Sequence, residues 1–278
     1  MNLTRFGVWT SYHAIGVENS AQAARLAQDL GYGAFWLGGS PEVDELRPLL
    51  EATETLVAVT GIVNVWKSDP ATVAAEAAAI ERDYGDRSLI GIGAGHPEAT
   101  SEYTRPRHAT IEFLDVLDDA PAPLPRERRA LAALGPKMLD LAGERSLGSH
   151  PYFTNVEHTS FARDRLGSGR LLAPELACVL DTDVERARAS ARDYAAVYLQ
   201  LSNYTNNLLR FGFTDRDIAD GGSDRLIDAI IPHGSAAEIA EVVHAHLEAG
   251  ADHVCLQPVG VSGVPRDQWT ALARALEL

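Results

Sequence analysis

The chain has 278 residues, 46% of them hydrophobic, and a formal net charge of −15. That length suits one large α/β domain, 1–278. The charge opposes a nucleic-acid or anionic-membrane partner, because long-range repulsion would have to be overcome. It fits a cytoplasmic protein that handles a small molecule.

The opening stretch MNLTRFGVWT has no apolar signal segment, and no apolar run approaches the roughly 18 residues of a membrane helix. Short apolar strands instead alternate with amphipathic helices along the chain. In order, strands are predicted at 6–9, 34–37, 56–65, 89–92, 130–134, 151–153, 171–180 and 253–257. About eight such units make a closed (β/α)8 TIM barrel.

The helices between them carry start and stop signals. In SDPATVAAEAAAIERDYG, Asp69 reads as the N-cap and Pro70 as the first helical residue. In SAAEIAEVVHAHLEAG, Ser235 and Glu238 have capping-box spacing, and Ile239, Val242, Val243, His246 and Leu247 share one face. Gly31 and Gly250 stop two of the helices. Two stretches break the repeat. Residues 118–129 form a Pro-rich connector. Residues 203–231, from NYTNNLLRFGF to ADGGSD, read as a helical and loop insertion near the barrel rim, before the last helix–strand unit. Such an insertion covers a substrate or forms a subunit contact.

A barrel of this kind places its site at the carboxyl ends of the strands. Thr10, Ser11 and His13 follow the first strand, Gly38 and Gly39 the second, and Asn64 closes the third. Gly93, Ala94, Gly95 and His96 end the fourth, and Gly135, Pro136 and Lys137 the fifth. Asn155, Glu157 and His158 follow the sixth, Asp181 the seventh and Gln257 the eighth. Carboxylates are too few for a catalytic metal centre. Cys178 and Cys255 lie in apolar runs without metal or redox spacing and read as reduced core thiols. The glycines allow close approach of a flat ligand. GIGAGHPE is not a dinucleotide fingerprint, because His96 stands where the third glycine belongs.

One residue stands out by its rarity. Of 24 Lys and Arg residues, only Lys67 and Lys137 are lysines. A cation in the first turn of a helix is disfavoured by roughly 0.3–1 kcal/mol. A phosphate at Gly135–Pro136–Lys137, held by open amides and the ammonium, would reverse that sign. The alternative is a solvated surface lysine. Trp9, Trp36 and Trp66 sit near strand ends and read first as packing, though such walls would suit an apolar substrate.

An ordered series of segments carries a resemblance: RFGVW, LGYGAFWLGGSP, VTGIVNVWKSDP, GIGAGHPE, ALGPKMLDLAGER, SHPYFTNVEHT and AGADHVCLQPV. From Arg5 to Pro258 the chain resembles the luciferase-like barrel oxidoreductases, in the branch that uses the deazaflavin coenzyme F420. The resemblance implies hydride transfer between the deazaflavin and a small organic substrate. An FMN-dependent monooxygenase on the same barrel, or a barrel that binds a flavin without turnover, remains open. It also implies a non-proline cis peptide in a third-strand bulge behind the ring, at Gly61–Ile62; without it, an ordinary glycine bulge is the reading. Asn64 would lie at the ring edge, and Gly93 to His96 would flank the ring. Gly135 to Lys137 would receive the phosphate, and His158 and Thr159 would sit on the ribityl-phosphate side. His96 is the first candidate proton donor, with His13 and Glu98 in reserve; His108 and His150 read as structural. Some members carry an Asp-His pair after the second strand, where this chain has Gly38-Gly39-Ser40. Homodimers are common in the family.

Overall fold

The computed structural model describes residues 1–99 and 103–278. The first half contributes β1 (Phe6–Ser11), α1 (Tyr12–Ile15), α2 (Ser20–Asp29), β2 (Ala34–Gly38) and α3 (Arg47–Glu51). Next come β3 (Val57–Asn64), α4 (Pro70–Tyr84), β4 (Ser88–Gly93) and α5 (Pro106–Asp119). They are followed by β5 (Arg129–Leu131), α6 (Pro136–Arg145), β6 (Gly148–Ser149), α7 (Val156–Leu166), β7 (Leu171–Leu172) and β8 (Glu175–Cys178). Four helices then run in succession: α8 (Val184–Tyr198), α9 (Ser202–Arg210), α10 (Asp215–Ile218) and α11 (Asp224–Ile230). The order is completed by α12 (Ala236–Glu248), β9 (Val254–Pro258) and α13 (Arg266–Ala275).

The nine strands are parallel and neighbour one another in the order β7-β6-β5-β4-β3-β2-β1-β9-β8. β7 and β8 are two halves of one run, interrupted at Pro174, which has no N–H to give to the ladder. Backbone bonds continue across the break. Ala173 N donates to Ser149 O, Glu175 N to Pro151 O and Cys255 N to Pro174 O, each at 2.9 Å. The sheet therefore closes into a (β/α)8 barrel with helices outside. β2 is buried along its whole length. In α4, Asp69 accepts from Thr72 N at 2.8 Å, and Val73, Ala74, Ala77 and Ile80 face the sheet. No helix among the described residues is long and apolar enough to cross a membrane.

Three local expectations are corrected. The fifth strand is shorter than 130–134. The sixth strand forms at Gly148–Ser149, not at 151–153, where it pairs so closely with β7 that a Cβ on Gly148 would lie 1.9 Å from Leu171 O. Pro151 and a left-handed Phe153 (φ 56°) turn the chain instead. In β3 the register slips between Thr60 and Val63, so the bulge does fall at Gly61–Ile62. No peptide bond there or elsewhere among the described residues is cis. The extra residue and the bend of a bulge take up the slip.

The insertion is larger than 203–231. Val179 N donates to Pro232 O (3.0 Å) and Gly234 N to Val179 O (3.1 Å), so the chain leaves the barrel at Val179 and returns to it. Residues 180–232 form a strap that includes α8. Ala187, Ala191, Ala195, Leu208, Leu226, Ile227 and Ile230 give it a small core, joined to Phe153 and Ala177 of the barrel.

Candidate active site at the barrel mouth

A cavity of about 500 Å³ lies between the carboxyl ends of the strands and the strap. Trp9, Gly38, Gly39, Ser40, Gly61, Ile62, Ala94, Gly95, His96, Ala132 to Gly135, Met138, His150 and Tyr152 line it from the barrel side. Tyr103 and Pro106 add to the rim. From the strap come Tyr198, Asn203, Tyr204, Asn206, Asn207 and Arg210.

The bulge brings backbone to the wall. A Cβ on Gly61 would lie 2.9 Å from both the Trp9 ring and Leu37 O. The floor is aromatic: Trp9 stacks on the fully buried Trp36 at 5.8 Å, and Tyr152 lies 5.1 Å from Trp9. Trp66 stands aside and donates to Ala94 O at 2.6 Å. The Tyr152 hydroxyl meets those of Tyr194 (2.5 Å) and Tyr198 (3.0 Å) and donates to Gln257 Oε1 (3.0 Å). Burial raises the pKa of all three phenols, so they stay neutral.

His96 lies at the rim, with its ring 4.8 Å from that of Tyr204. Asn203 Nδ2 donates to Gly95 O (3.0 Å) and Tyr103 Oη (3.2 Å) and faces His96 Nδ1 at 3.4 Å. Burial lowers the pKa of His96, against a smaller opposing pull from Glu98. The imidazole is therefore neutral near pH 7 and holds one N–H.

Helix α9 carries Asn203, Asn207 and Arg210 at i, i+4 and i+7, one face of a helix, and that face lines the cavity. Asn207 is 3% exposed, and its Oδ1 has no partner among the described residues. Arg210 is the one permanently charged side chain among the described cavity residues.

Arg210 stands at the Gly135 corner, with Nη1 3.9 Å from a Cβ built on Gly135. At the start of α6, Met138 N (3.1 Å) and Leu139 N (3.0 Å) both donate to Gly135 O. Pro136 has no N–H, so Lys137 N is the first-turn amide with no backbone acceptor among the described residues. The Lys137 side chain is exposed and outside the cavity lining; the half-buried Pro136 is outside it too. The cation at this corner comes from the strap.

The other anticipated residues fall into two groups. Asn64 and Gly93 lie behind the wall: Asn64 Oδ1 accepts from Trp66 N (2.9 Å), and Gly93 packs against Ile62 and Ala132. His158, Thr159, His13 and Glu98 do not reach the cavity. His158 and Thr159 are fully buried, because Asn155 caps α7 and turns its first turn into the core. There His158 Nε2 bonds Leu134 O (3.0 Å) and Thr159 Oγ1 meets His246 Nδ1 (2.8 Å). His13 is exposed on α1. Glu98 accepts from Ser202 N at 2.9 Å, a bond that lowers its pKa and pins the start of α9.

Sequence reasoning did not assign Arg210, Asn207, Asn203 or the tyrosines to the site, and it read His150, which lines the cavity, as structural. The polar spacing inside NYTNNLLR was a usable signal for the first three. Among the described residues, no group of three or more His, Cys, Asp or Glu is gathered to hold a metal.

Known proteins share this architecture. An F420-dependent secondary alcohol dehydrogenase, solved with an F420–acetone adduct, superposes with a TM-score of 0.77 at 16% identity, over 99% of both chains. The coenzyme F420-dependent tetrahydromethanopterin reductase from Methanopyrus kandleri gives 0.73, 16% and 99% of both. The oxygenating component of 3,6-diketocamphane monooxygenase from Pseudomonas putida, in complex with FMN, gives 0.66 and 14% identity over 98% of this chain and 96% of that one. No curated protein sequence matches. The family model described as luciferase-like monooxygenase matches residues 1–253, and with the closed barrel and its strap-covered mouth this places the chain in the luciferase-like monooxygenase family.

Proposed function

We propose that the chain is a coenzyme F420-dependent oxidoreductase that moves a hydride between the deazaflavin and a small organic substrate. One observation carries the flavin-type part of this reading, which F420 and FMN share. The cavity has an aromatic floor backed by the β3 bulge and, among the described residues, a single permanent cation at the Gly135 corner, which suits a planar ring with an anionic tail. Two solved structures that superpose over nearly their whole length are named as F420 proteins, which supports the choice.

The bound deazaflavin supplies the hydride donor or acceptor. Gly61 and Ile62 form the wall for the ring. The Arg210 guanidinium and Lys137 N fit the phosphate. In its protonated form His96 would give a proton to the substrate oxygen as that oxygen gains negative charge, returning to the neutral imidazole that solvent reprotonates. The strap excludes water from the contact.

Arg210→Ala is expected to weaken F420 binding more than about tenfold, the worth of a charge-assisted hydrogen bond. Lys137→Ala should weaken it less, since the Lys137 side chain lies outside the cavity lining whereas Arg210 is part of it. Fluorescence titration reads both; equal affinity in wild type and Arg210→Ala counts against the phosphate corner. His96→Ala is expected to slow turnover about 100-fold or more with little change in cofactor affinity. Unchanged turnover assigns the proton elsewhere.

A second reading is an FMN-dependent monooxygenase. One cavity cation among the described residues and a net charge of −15 suit one phosphate better than a phosphate followed by further acidic groups. Parallel titration with F420 and FMN separates the two, the tighter ligand deciding.

A further inference from the structure

Four phenols meet where the strap crosses the barrel mouth. Three of them satisfy one another: the Tyr152 hydroxyl bonds those of Tyr194 and Tyr198 and the side chain of Gln257. The fourth, Tyr204, is 7% exposed and lines the cavity, and its hydroxyl has no protein partner among the described residues. Buried tyrosine hydroxyls usually find one. The oxygen is not closed off by protein either, as the ring nitrogens of His150 are.

The phenol is held in place and keeps its proton. Tyr204 N donates to Leu201 O at 3.0 Å, and the ring packs edge-on to Phe153 at 5.5 Å and to Tyr198 at 5.6 Å. The His96 ring lies 4.8 Å away. Burial raises the pKa of Tyr204 well above its ordinary value, with Tyr198 and Glu175 adding to the rise. Arg210, the cation of the Gly135 corner, lies six residues further along α9, about 9 Å along the helix axis. The hydroxyl therefore stands apart from the anion corner and beside His96. No carboxylate or ammonium lines the cavity among the described residues, and a charged group lodged between these rings would lack a counter-ion. A neutral donor here suits a neutral oxygen.

We propose that Tyr204 binds the substrate: its hydroxyl donates a hydrogen bond to the oxygen of an uncharged carbonyl compound and holds that oxygen against His96. When hydride from the reduced cofactor adds to the carbonyl carbon, the C=O π pair moves onto oxygen. Tyr204 keeps its own proton and its bond to that oxygen tightens, while protonated His96 supplies the proton that completes the alcohol. A ligand without the oxygen leaves the phenol unpaired, so the same residue sets specificity. The inference rests on the function proposed above for the hydride step, though not for the binding of the carbonyl.

The test uses the full chain labelled with 13Cζ-tyrosine, whose ring carbon next to the hydroxyl reports hydrogen bonding of the phenol. The probes are cyclohexanone and methylenecyclohexane, a close match in shape without the oxygen. Each is added to free protein and to protein titrated with coenzyme F420 or FMN. Tyr204→Phe assigns the resonance and keeps the ring, with Tyr204→Leu for assignment should the first variant not fold. Cyclohexanone is expected to shift the Tyr204 signal. Tyr204→Phe should weaken cyclohexanone about five- to tenfold and leave methylenecyclohexane within about twofold; a tyrosine that only packs would weaken both alike. Equal losses for the two probes overturn the inference. So does a Tyr204 signal that cyclohexanone leaves unmoved in free and loaded protein, whether or not a cofactor alone has moved it. Protein that binds neither cofactor but shifts Tyr204 with cyclohexanone keeps the donor and refutes the proposed function. Protein that binds a cofactor while cyclohexanone leaves Tyr204 silent does the reverse.

Discussion

Acidification from pH 7 to pH 5 is expected to cost the fold about 5 kcal/mol, a large share of the roughly 5–15 kcal/mol that keeps a domain folded. Four buried histidines carry the effect. Burial pushes His150 down to about 3, and His158, His246 and His253 down to about 4 each. His253 shows why. Its Nε2 accepts from Trp36 Nε1 at 3.1 Å and its Nδ1 donates to Thr4 O at 3.0 Å. A second proton would set N–H against N–H.

Below about 6.5 the unfolded chain takes up protons that these folded residues refuse, so stability falls with pH until the folded values are reached. By pH 5 each histidine contributes a loss of about 2 kcal/mol. Glu175 acts in the opposite direction and offsets about 3 kcal/mol over the same interval. Urea unfolding at pH 5, 6 and 7 reads the sum. Equal stability at pH 5 and pH 7 would show that these rings are hydrated or charged in the fold.

Glu175 is itself the second large effect. It is 1% exposed, with Oε2 accepting from Phe153 N and Oε1 unpartnered. Burial pushes its carboxyl up to about 8. The folded protein therefore keeps a proton that the unfolded chain releases above about 4.5. Its favourable contribution is full below that pH and is lost as pH rises through 8. At pH 7 the loss amounts to about 3 kcal/mol.

Glu175→Gln retains an oxygen for Phe153 N and never ionises. The variant is expected to be about 3 kcal/mol more stable than wild type at pH 7 and no more stable near pH 4.5. A variant destabilised equally at both values would mean that the carboxyl is ionised and paired. The residue earns its place by geometry: with Phe153 at φ 56°, it fixes the turn that presents His150 and Tyr152 to the cavity.

The barrel was legible because apolar runs and helix caps repeat at barrel spacing; Asp69 and the Ser235–Glu238 box both form. The sixth strand was not, because Gly148 and Ser149 are dictated by ring closure and carry no strand propensity of their own, whereas PYF looks like a strand and is a turn. Lysine rarity pointed to the Gly135 corner. It could not show that the cation lining that corner is Arg210, which arrives from 75 residues further along through the fold of the strap. His158 illustrates the reverse: a histidine after a strand looks available until Asn155 caps the helix and buries it.

A crystal structure with coenzyme F420 bound tests the central claim most directly. The ring should lie across the Gly61–Ile62 bulge beneath α9, with its phosphate bonded to Arg210 and Lys137 N. A ring lodged outside the strap, or a phosphate remote from Gly135, would contradict the account.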